Sequence, residues 1–110
     1  MLYLTAETKI LLSIKPVDFR CQIDGLIAVC QREFEENPRS GYLFVFINRS
    51  QTMIRILCYE SNGYWLATKR LSKGRYASWP SSIKEKSTVL HASDLTKILK
   101  DFIVKRDKHV

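Results

Sequence analysis

Basic and aromatic side chains are interleaved over residues 69–86 of this 110-residue chain. The members of this set are Lys69, Arg70, Lys73, Arg75, Tyr76, Trp79, Lys84 and Lys86. Lysine and arginine bind phosphate oxygens, and flat aromatic rings stack on bases, so the set is typical of a nucleic-acid-binding loop. The alternative is that Trp79 and Pro80 pack on the rest of the protein and the cations are only exposed to solvent.

The excess of positive charge lies entirely in the C-terminal part of the chain. Residues 1–68 contain seven basic residues (Lys and Arg) and seven acidic residues (Asp and Glu). Residues 69–110 contain eleven basic and four acidic residues. The formal net charge of +7 therefore belongs to residues 69–110. This asymmetry favours an anionic partner, of which nucleic acid is the commonest. A basic surface that only keeps the protein soluble is the alternative.

Residue types that carry out catalysis are present, but their spacing does not fit a catalytic site. Asp18 and Asp24 lie on different faces of a predicted helix, so they do not form the carboxylate cluster that holds a divalent metal. His91 and His109 have no second ligand at metal-binding spacing. The four glycines are scattered and form no phosphate-binding loop. We therefore expect no catalytic residue, no metal and no cofactor.

The three cysteines, Cys21, Cys30 and Cys58, form no metal-binding pattern. Cys21 and Cys30 lie on different turns of a predicted helix and could not pair with each other, so we expect reduced, buried thiols in a cytoplasmic protein. No apolar run approaches the ~20 residues that a membrane-spanning helix needs. The N-terminal residues lack the pattern of a signal peptide. The sequence thus predicts a cytoplasmic protein without a membrane partner.

One amphipathic helix is predicted at about residues 18–36. Its apolar residues recur at spacings of three and four, which places them on one face. Asp18 is a suitable N-cap, and Pro38 marks the end of the helix. Gly25 lies in the middle of the helix and would allow close approach of another element, at a cost in helix propensity of about 1 kcal/mol.

A sheet is predicted around a strand from Tyr42 to Ile47, whose unbroken apolar sequence indicates burial on both faces. Residues 9–15 predict a first strand. The Asn62-Gly63 pair between two further apolar runs predicts a hairpin with that pair as its two-residue turn. This register places Arg55 directly opposite Arg70. Like charges across a ladder are unfavourable, so the two side chains would either splay into solvent or share an anion.

These elements predict a single α+β domain over residues 1–106, followed by a frayed tail at 107–110. The sheet is expected to be mainly antiparallel, with the amphipathic helix packed on one face. A C-terminal helix, at about residues 93–104 with Ser93 as its N-cap, is expected near the first helix.

Four segments of the chain, taken together, resemble a known family. They are PVDFRCQIDGL at 16–26, SGYLFVFINR at 40–49, IRILCYESNGYWLATKRLSKGRYASWP at 54–80 and LHASDLTKILKDF at 90–102. In this order and at this spacing they resemble the small TnpB-type accessory proteins of the insertion-sequence sixty-six family of bacterial transposable elements. The resemblance covers almost the whole chain. It implies a helper of transposition that is encoded beside a separate transposase and has no assigned catalytic residue.

We therefore predict a non-enzymatic accessory protein of DNA transposition. The side chains expected to hold phosphates of transposon DNA are Arg55, Lys69, Arg70, Lys73, Arg75, Lys84 and Lys86, with Tyr76 and Trp79 as flat contacts. The first alternative is an adaptor whose basic patch meets an acidic surface of the transposase protein. An RNA-binding module is the second, and it is disfavoured because the sheet lacks the paired exposed aromatics of an RNA-recognition surface.

Overall fold

The structure is a computed structural model that describes residues 5–81 and 85–103. Within these ranges the elements are β1 (Ile10–Ser13), α1 (Ile23–Val29), a π-helical turn (Cys30–Phe34), β2 (Leu43–Ile47), β3 (Met53–Glu60), β4 (Gly63–Arg70), β5 (Arg75–Tyr76), β6 (Ser87–Leu90), α2 (Ala92–Lys100) and β7 (Phe102–Ile103). The predicted α+β class is confirmed. The predicted tail at 107–110 lies outside the described residues.

Five strands form one sheet in the order β4-β3-β2-β1-β6, and β5 and β7 form a separate two-stranded sheet. β1 runs parallel to β2, whereas the other neighbours in the large sheet are antiparallel. The expectation of a mainly antiparallel sheet is therefore wrong, because the sheet is mixed. The physical reason is that α1 carries the chain back from the end of β1 to the start of β2, which makes the two strands parallel.

The central strand β2 is buried along its whole length, as its apolar sequence predicts. Phe44 packs in a core cluster with Leu26 of α1, whereas Val45 packs in a second cluster with Leu95 of α2. Because successive strand residues point to opposite faces, the two helices cover opposite faces of the sheet. The expectation that the C-terminal helix lies near the first helix is wrong, since a sheet that is apolar on both faces needs a cover on each.

Helix α1 begins at Ile23 rather than at Asp18, and Gln22 is its N-cap residue. The Asp18 carboxylate instead accepts the backbone N–H of Arg20 at 2.9 Å, which forms a local turn before the helix. Aspartate favours such turns because its side chain competes with helical hydrogen bonds. The helical segment ends close to its predicted end, at Phe34 of the π-helical turn.

Helix α2 has His91 rather than Ser93 as its N-cap residue, and the Asp94 carboxylate accepts the His91 backbone N–H at 3.2 Å. The helix ends at Lys100, and Asp101 is already extended, so the predicted helix is too long at this end. Neither α-helix in the described part of the chain is long and apolar enough to cross a lipid bilayer.

The predicted β3–β4 hairpin is present, but its turn lies one residue earlier in the chain. Glu60 pairs with Gly63, so Ser61 and Asn62 form the loop, with Ser61 at a φ of 57°. Gly63 is thereby free to begin β4 and to add a pair to the ladder, which satisfies more backbone groups. The whole register shifts by two residues, so every side chain keeps its predicted face but changes its partner.

Candidate nucleic-acid interface

The sheet gathers exposed cations from distant parts of the chain at one of its two ends. This end contains the carboxyl ends of β1, β2 and β4 and the amino ends of β3 and β6. Of the exposed cations that lie here, we call five the basic end, namely Lys15, Arg70, Lys73, Arg75 and Lys86. Four inter-strand spacings of about 4.8 Å make this end about 19 Å wide.

Two backbone hydrogen bonds fix the segment between β4 and β5 against the β2–β3 loop. The N–H of Leu71 donates to the carbonyl of Thr52 at 2.9 Å, and the N–H of Tyr76 donates to the carbonyl of Gln51 at 2.7 Å. Lys73 lies between these two contacts and is exposed. The segment is therefore held at the basic end rather than projecting from the molecule.

Strands β1 and β6, which are farthest from β4 in the strand order, bring two lysines to the same end. The N–H of Ile14 donates to the carbonyl of Lys86 at 3.0 Å, so the residue before β6 lies beside those that follow β1. Lys15 follows directly and is exposed, as is Lys86. Lys84, the other lysine expected in this region, lies outside the described residues.

The cations of the basic end are not neutralised by one another or by their described surroundings. Within residues 5–81 and 85–103, the side chains of Arg70, Lys73, Arg75 and Lys86 make no hydrogen bond or ion pair. The carboxylates nearest in sequence are Asp18, which is engaged by Arg20, and Glu85. Such uncompensated cations can neutralise DNA phosphates and release the counterions that are condensed on the DNA.

Lys69 points away from the basic end, to the side of the sheet that α2 covers. Its Nζ donates to the backbone carbonyl of Leu99 at 2.9 Å. Leu99 belongs to the last turn of α2, where the helix dipole favours a cation. Lys69 was expected to contact phosphate, but the structure gives it a partner within the fold.

The two aromatic residues of the predicted loop are engaged in the core. Tyr76 is 1% exposed, and burial raises its pKa, so its ring has no free face for a base. The indole Nε1 of Trp79 lies 3.1 Å from the carbonyl oxygens of both Ser13 and Ile14. The ring packs against the core cluster that contains Leu95 of α2. This placement matches the alternative in which Trp79 packs on the rest of the protein.

Arg55 has a different environment from the one that its sequence position predicted. It pairs with Thr68 rather than Arg70, which pairs with Met53. Its Nη1 donates to the carbonyls of Phe19 at 2.9 Å and Cys21 at 3.3 Å. Arg55 therefore does not splay freely into solvent. The prediction that it lies directly opposite Arg70 is wrong, because the hairpin register is shifted.

An open cleft of about 530 Å³ borders the basic end on the α1 side of the sheet. Its wall contains three arginines from separate segments, namely Arg20, Arg49 and Arg55, and we call it the arginine cleft. The N–H of Val17 donates to the carbonyl of Ile47 at 2.8 Å, which brings the segment after β1 beside the β2–β3 loop. Sequence reasoning missed Arg20 and Arg49, since each is an isolated cation in a region of balanced charge.

Asp18 and Arg20 form an ion pair with each other at the edge of the arginine cleft. The Arg20 Nε lies 3.1 and 3.0 Å from the two Asp18 carboxylate oxygens, and Nη2 lies 2.6 Å from Oδ2. The side-chain and backbone hydrogen bonds from Arg20 lower the pKa of Asp18 from 3.8 to about 2. The carboxylate is therefore charged at neutral pH and pairs with the exposed Arg20 guanidinium.

Two of the three cysteines and the potential metal ligands can be placed in the part of the chain that the structure describes. Burial raises the pKa of the Cys30 thiol to about 12 and also raises the pKa of Cys58, which keeps both as thiols. In the same residues, no group of three or more His, Cys, Asp and Glu side chains is arranged to bind a metal ion.

Comparison with known proteins gives a family and two relatives. The model of the family described as IS66 Orf2 like protein matches residues 8–109. Two relatives from Sinorhizobium fredii (strain NBRC 101917 / NGR234), both named as uncharacterized proteins, are similar over shorter stretches. The protein y4hO is 38% identical over 65 residues, which cover 59% of this chain and 56% of that protein. The protein y4jC is 31% identical over 68 residues, which cover 62% of this chain and 58% of that protein.

The aligned region thus spans little more than half the length of either relative. No solved structure significantly matches the chain.

Proposed function

Because the chain belongs to the family of IS66 Orf2-like proteins, we propose that it is a non-enzymatic accessory protein of DNA transposition that binds the DNA of the element through its basic end. One observation carries this proposal. Five exposed cations from three separate parts of the chain converge on one end of the sheet, and their described surroundings leave them largely uncompensated. A surface that served solubility alone would not need this convergence.

The dimensions of the basic end suit a DNA backbone. A duplex carries one negative charge for about every 1.7 Å of helix axis when both strands are counted, so several phosphates lie within reach of an end about 19 Å wide. If all five cations contact phosphates, the logarithm of the affinity falls with the logarithm of salt concentration with a slope of about −4.5. This steep dependence is the signature of the proposed mode.

Contacts of this kind position a protein on DNA but do not read its sequence. We expect the basic end to bind a duplex of the element's terminal repeat and a scrambled duplex with similar affinity, in the range of about 10⁻⁴ to 10⁻⁶ M at physiological salt. A clear preference for the terminal repeat would require base contacts in addition to those of the basic end.

A second candidate function is an adaptor that binds the transposase protein, and the side chain of Trp65 favours it. This indole is 49% exposed on β4, which is an edge strand of the large sheet. An edge strand offers backbone groups to a partner, and tryptophan is enriched among residues that dominate binding energy. The adaptor would therefore use the β4 edge rather than the basic end.

The experiment that tests the proposal is a DNA-binding titration repeated across salt concentrations, with labelled terminal-repeat and scrambled duplexes. The test variant is Arg70→Gln/Lys73→Gln. Its matched control is Lys9→Gln/Arg39→Gln, which removes the same charge at the opposite end of the sheet, where these cations lie over the rings of Tyr42 and Tyr59.

We expect the test variant to bind both duplexes more weakly and to make the salt slope shallower by about 1.8, since two phosphate contacts are lost. The control should keep the slope of the wild-type protein. Equal slopes for the two variants would remove the basic end as the binding surface. Absence of duplex binding at low salt, together with transposase capture that Trp65→Ala abolishes, would establish the adaptor in its place.

A further inference from the structure

We infer that the arginine cleft is a phosphate-binding site, and that it takes one backbone phosphate of DNA in addition to those held by the basic end. The identity of the ligand rests on the proposed function, whereas the anion-binding character of the cleft rests on its own residues. Only Arg55 of its three arginines belongs to the set that the sequence predicted.

The charge of the cleft wall is positive and is only partly compensated. Its ionisable side chains are Arg20, Arg49, Arg55 and Asp18, and the other lining residues are neutral. Three guanidinium groups and one carboxylate leave a formal charge of +2. The carboxylate is directed at Arg20 through three contacts of 2.6 to 3.1 Å. Arg49 attracts the same carboxylate only at longer range, and neither Arg49 nor Arg55 forms an ion pair among the described residues.

Arg49 projects from a loop that its own side chains make rigid. The Oδ1 of Asn48 accepts the backbone N–H groups of Thr52 at 2.9 Å and Met53 at 3.0 Å. The hydroxyl groups of Ser50 and Thr52 lie 2.8 Å apart. Arg49 itself is exposed and makes no hydrogen bond or ion pair within the described residues. A fixed loop lowers the entropic cost of placing this cation on a ligand.

Arg55 contributes a fixed charge to the wall of the cleft. Two backbone carbonyls and the ring of Phe19 hold its guanidinium, which lies 4.8 Å from the ring centroid. Its Nε is buried and has no hydrogen-bond partner among the described residues. A charge that is partly withdrawn from water and lacks a counter-ion attracts an anion more strongly than the same charge in solvent.

The cleft is continuous with the basic end, so one DNA strand can contact both. Met53 lines the cleft and lies directly opposite Arg70 in the β3–β4 ladder, which puts their Cβ atoms about 4.5–5.5 Å apart. Arg49 also lines an adjoining cleft of about 470 Å³ that contains Lys15. The arginine cleft therefore lies between two cations of the basic end, in line with a backbone that passes over them.

The first test is the Arg49→Gln variant in the same salt-dependent DNA titration, with Arg39→Gln as the matched control at the opposite end of the sheet. Loss of one phosphate contact should make the slope shallower by about 0.9. At 0.1 M salt this corresponds to an affinity about eightfold lower. Arg39→Gln should match the wild-type protein. If both variants retain the wild-type slope while Arg70→Gln/Lys73→Gln does not, the cleft inference fails and the proposed function stands.

The second test uses phosphate itself and does not depend on DNA. NMR signals of the arginine Nε–H groups are followed while inorganic phosphate or dimethyl phosphate is added to the 110-residue protein. Saturable shifts at Arg20, Arg49 and Arg55, absent at Arg39 and abolished by Arg49→Gln, are the expected result. Equal, non-saturating shifts at all arginines would overturn the inference even if DNA binds elsewhere.

The two tests separate failure of the site from failure of the proposed function. Saturable phosphate binding in the cleft without DNA binding by the wild-type protein would reject the DNA function and, with it, DNA as the occupant of the cleft. DNA binding without phosphate shifts in the cleft would reject the site alone.

Discussion

The guanidinium of Arg55 covers the ring of Phe19, 4.8 Å from its centroid, and donates to the carbonyl of the same residue at 2.9 Å. Arg55 is on β3, and Phe19 is in the segment that connects β1 to α1. This contact therefore ties the segment with Asp18 and Arg20 to the sheet. The shape of the arginine cleft depends on it.

We predict that Arg55→Met lowers the free energy of unfolding by about 1–3 kcal/mol, because the carbonyls of Phe19 and Cys21 lose a charged donor. Urea denaturation measures the change. Arg55→Lys should recover only part of the loss, since an ammonium group lacks the flat guanidinium face that lies over the Phe19 ring. A stability of Arg55→Met equal to that of the wild-type protein would mean that these hydrogen bonds do not hold the segment.

Gly25 allows α1 to lie against the turn that precedes it. A Cβ atom at this position would come within 2.5 Å of the Cys21 Cβ and 3.1 Å of its Sγ, and the first of these distances is too short without movement of the chain. We predict that Gly25→Ala destabilises the protein by about 1–3 kcal/mol, although alanine is the better helix former by about 1 kcal/mol. Thermal and urea unfolding check this.

The partner variant Cys21→Gly removes the atom that Gly25→Ala would meet. In a double-mutant cycle, Gly25→Ala should therefore be less destabilising in the Cys21→Gly background than alone. Additive effects of the two substitutions would show that the loss at Gly25 has another origin.

The acid titration of Asp18 reports the Asp18–Arg20 pair. Hydrogen bonds from Arg20 lower the pKa of this carboxyl to about 2. A group whose pKa is lowered in the folded state contributes stability above its unfolded value, here near 3.8, and that contribution is lost as the pH falls through about 2. We predict that carboxyl NMR shifts place the midpoint near 2, and that Arg20→Gln moves it upward. A midpoint near 3.8 in the wild-type protein would rule out the pair in solution.

Trp79 is predicted to stabilise the fold without contributing to DNA binding. Trp79→Phe removes the indole N–H that the carbonyls of Ser13 and Ile14 accept, and the expected loss of stability is about 1–2 kcal/mol. The affinity for duplex DNA should stay unchanged under conditions in which the variant is folded. Weaker DNA binding with wild-type stability would instead support the stacking role that the sequence suggested.

The β3–β4 hairpin shows how far local sequence signals reach. The sequence was sufficient to predict two strands joined by a tight turn, because apolar runs on both sides of Asn62-Gly63 are a local signal. It was not sufficient to place the turn, because Ser61 adopts positive φ and releases Gly63 to pair with Glu60.

Local periodicity also predicted the burial of β2 and the existence of both helices, since these depend on residues close in the chain. The direction of β1 relative to β2, and the side of the sheet that α2 covers, are relations between distant segments. They depend on how the two apolar faces of the sheet are covered, which no local pattern specifies.

The amino-acid sequence by itself determined the α+β class, the family and the presence of a basic segment between β4 and α2. Only the tertiary structure decided which cations act together. It turned Lys69 towards α2, placed Tyr76 and Trp79 in the core, and brought Lys15, Arg20 and Arg49 to the end of the sheet that Arg70 and Lys73 occupy. The physical reason is that electrostatic surfaces form from residues close in space, and the strand order sets which residues those are.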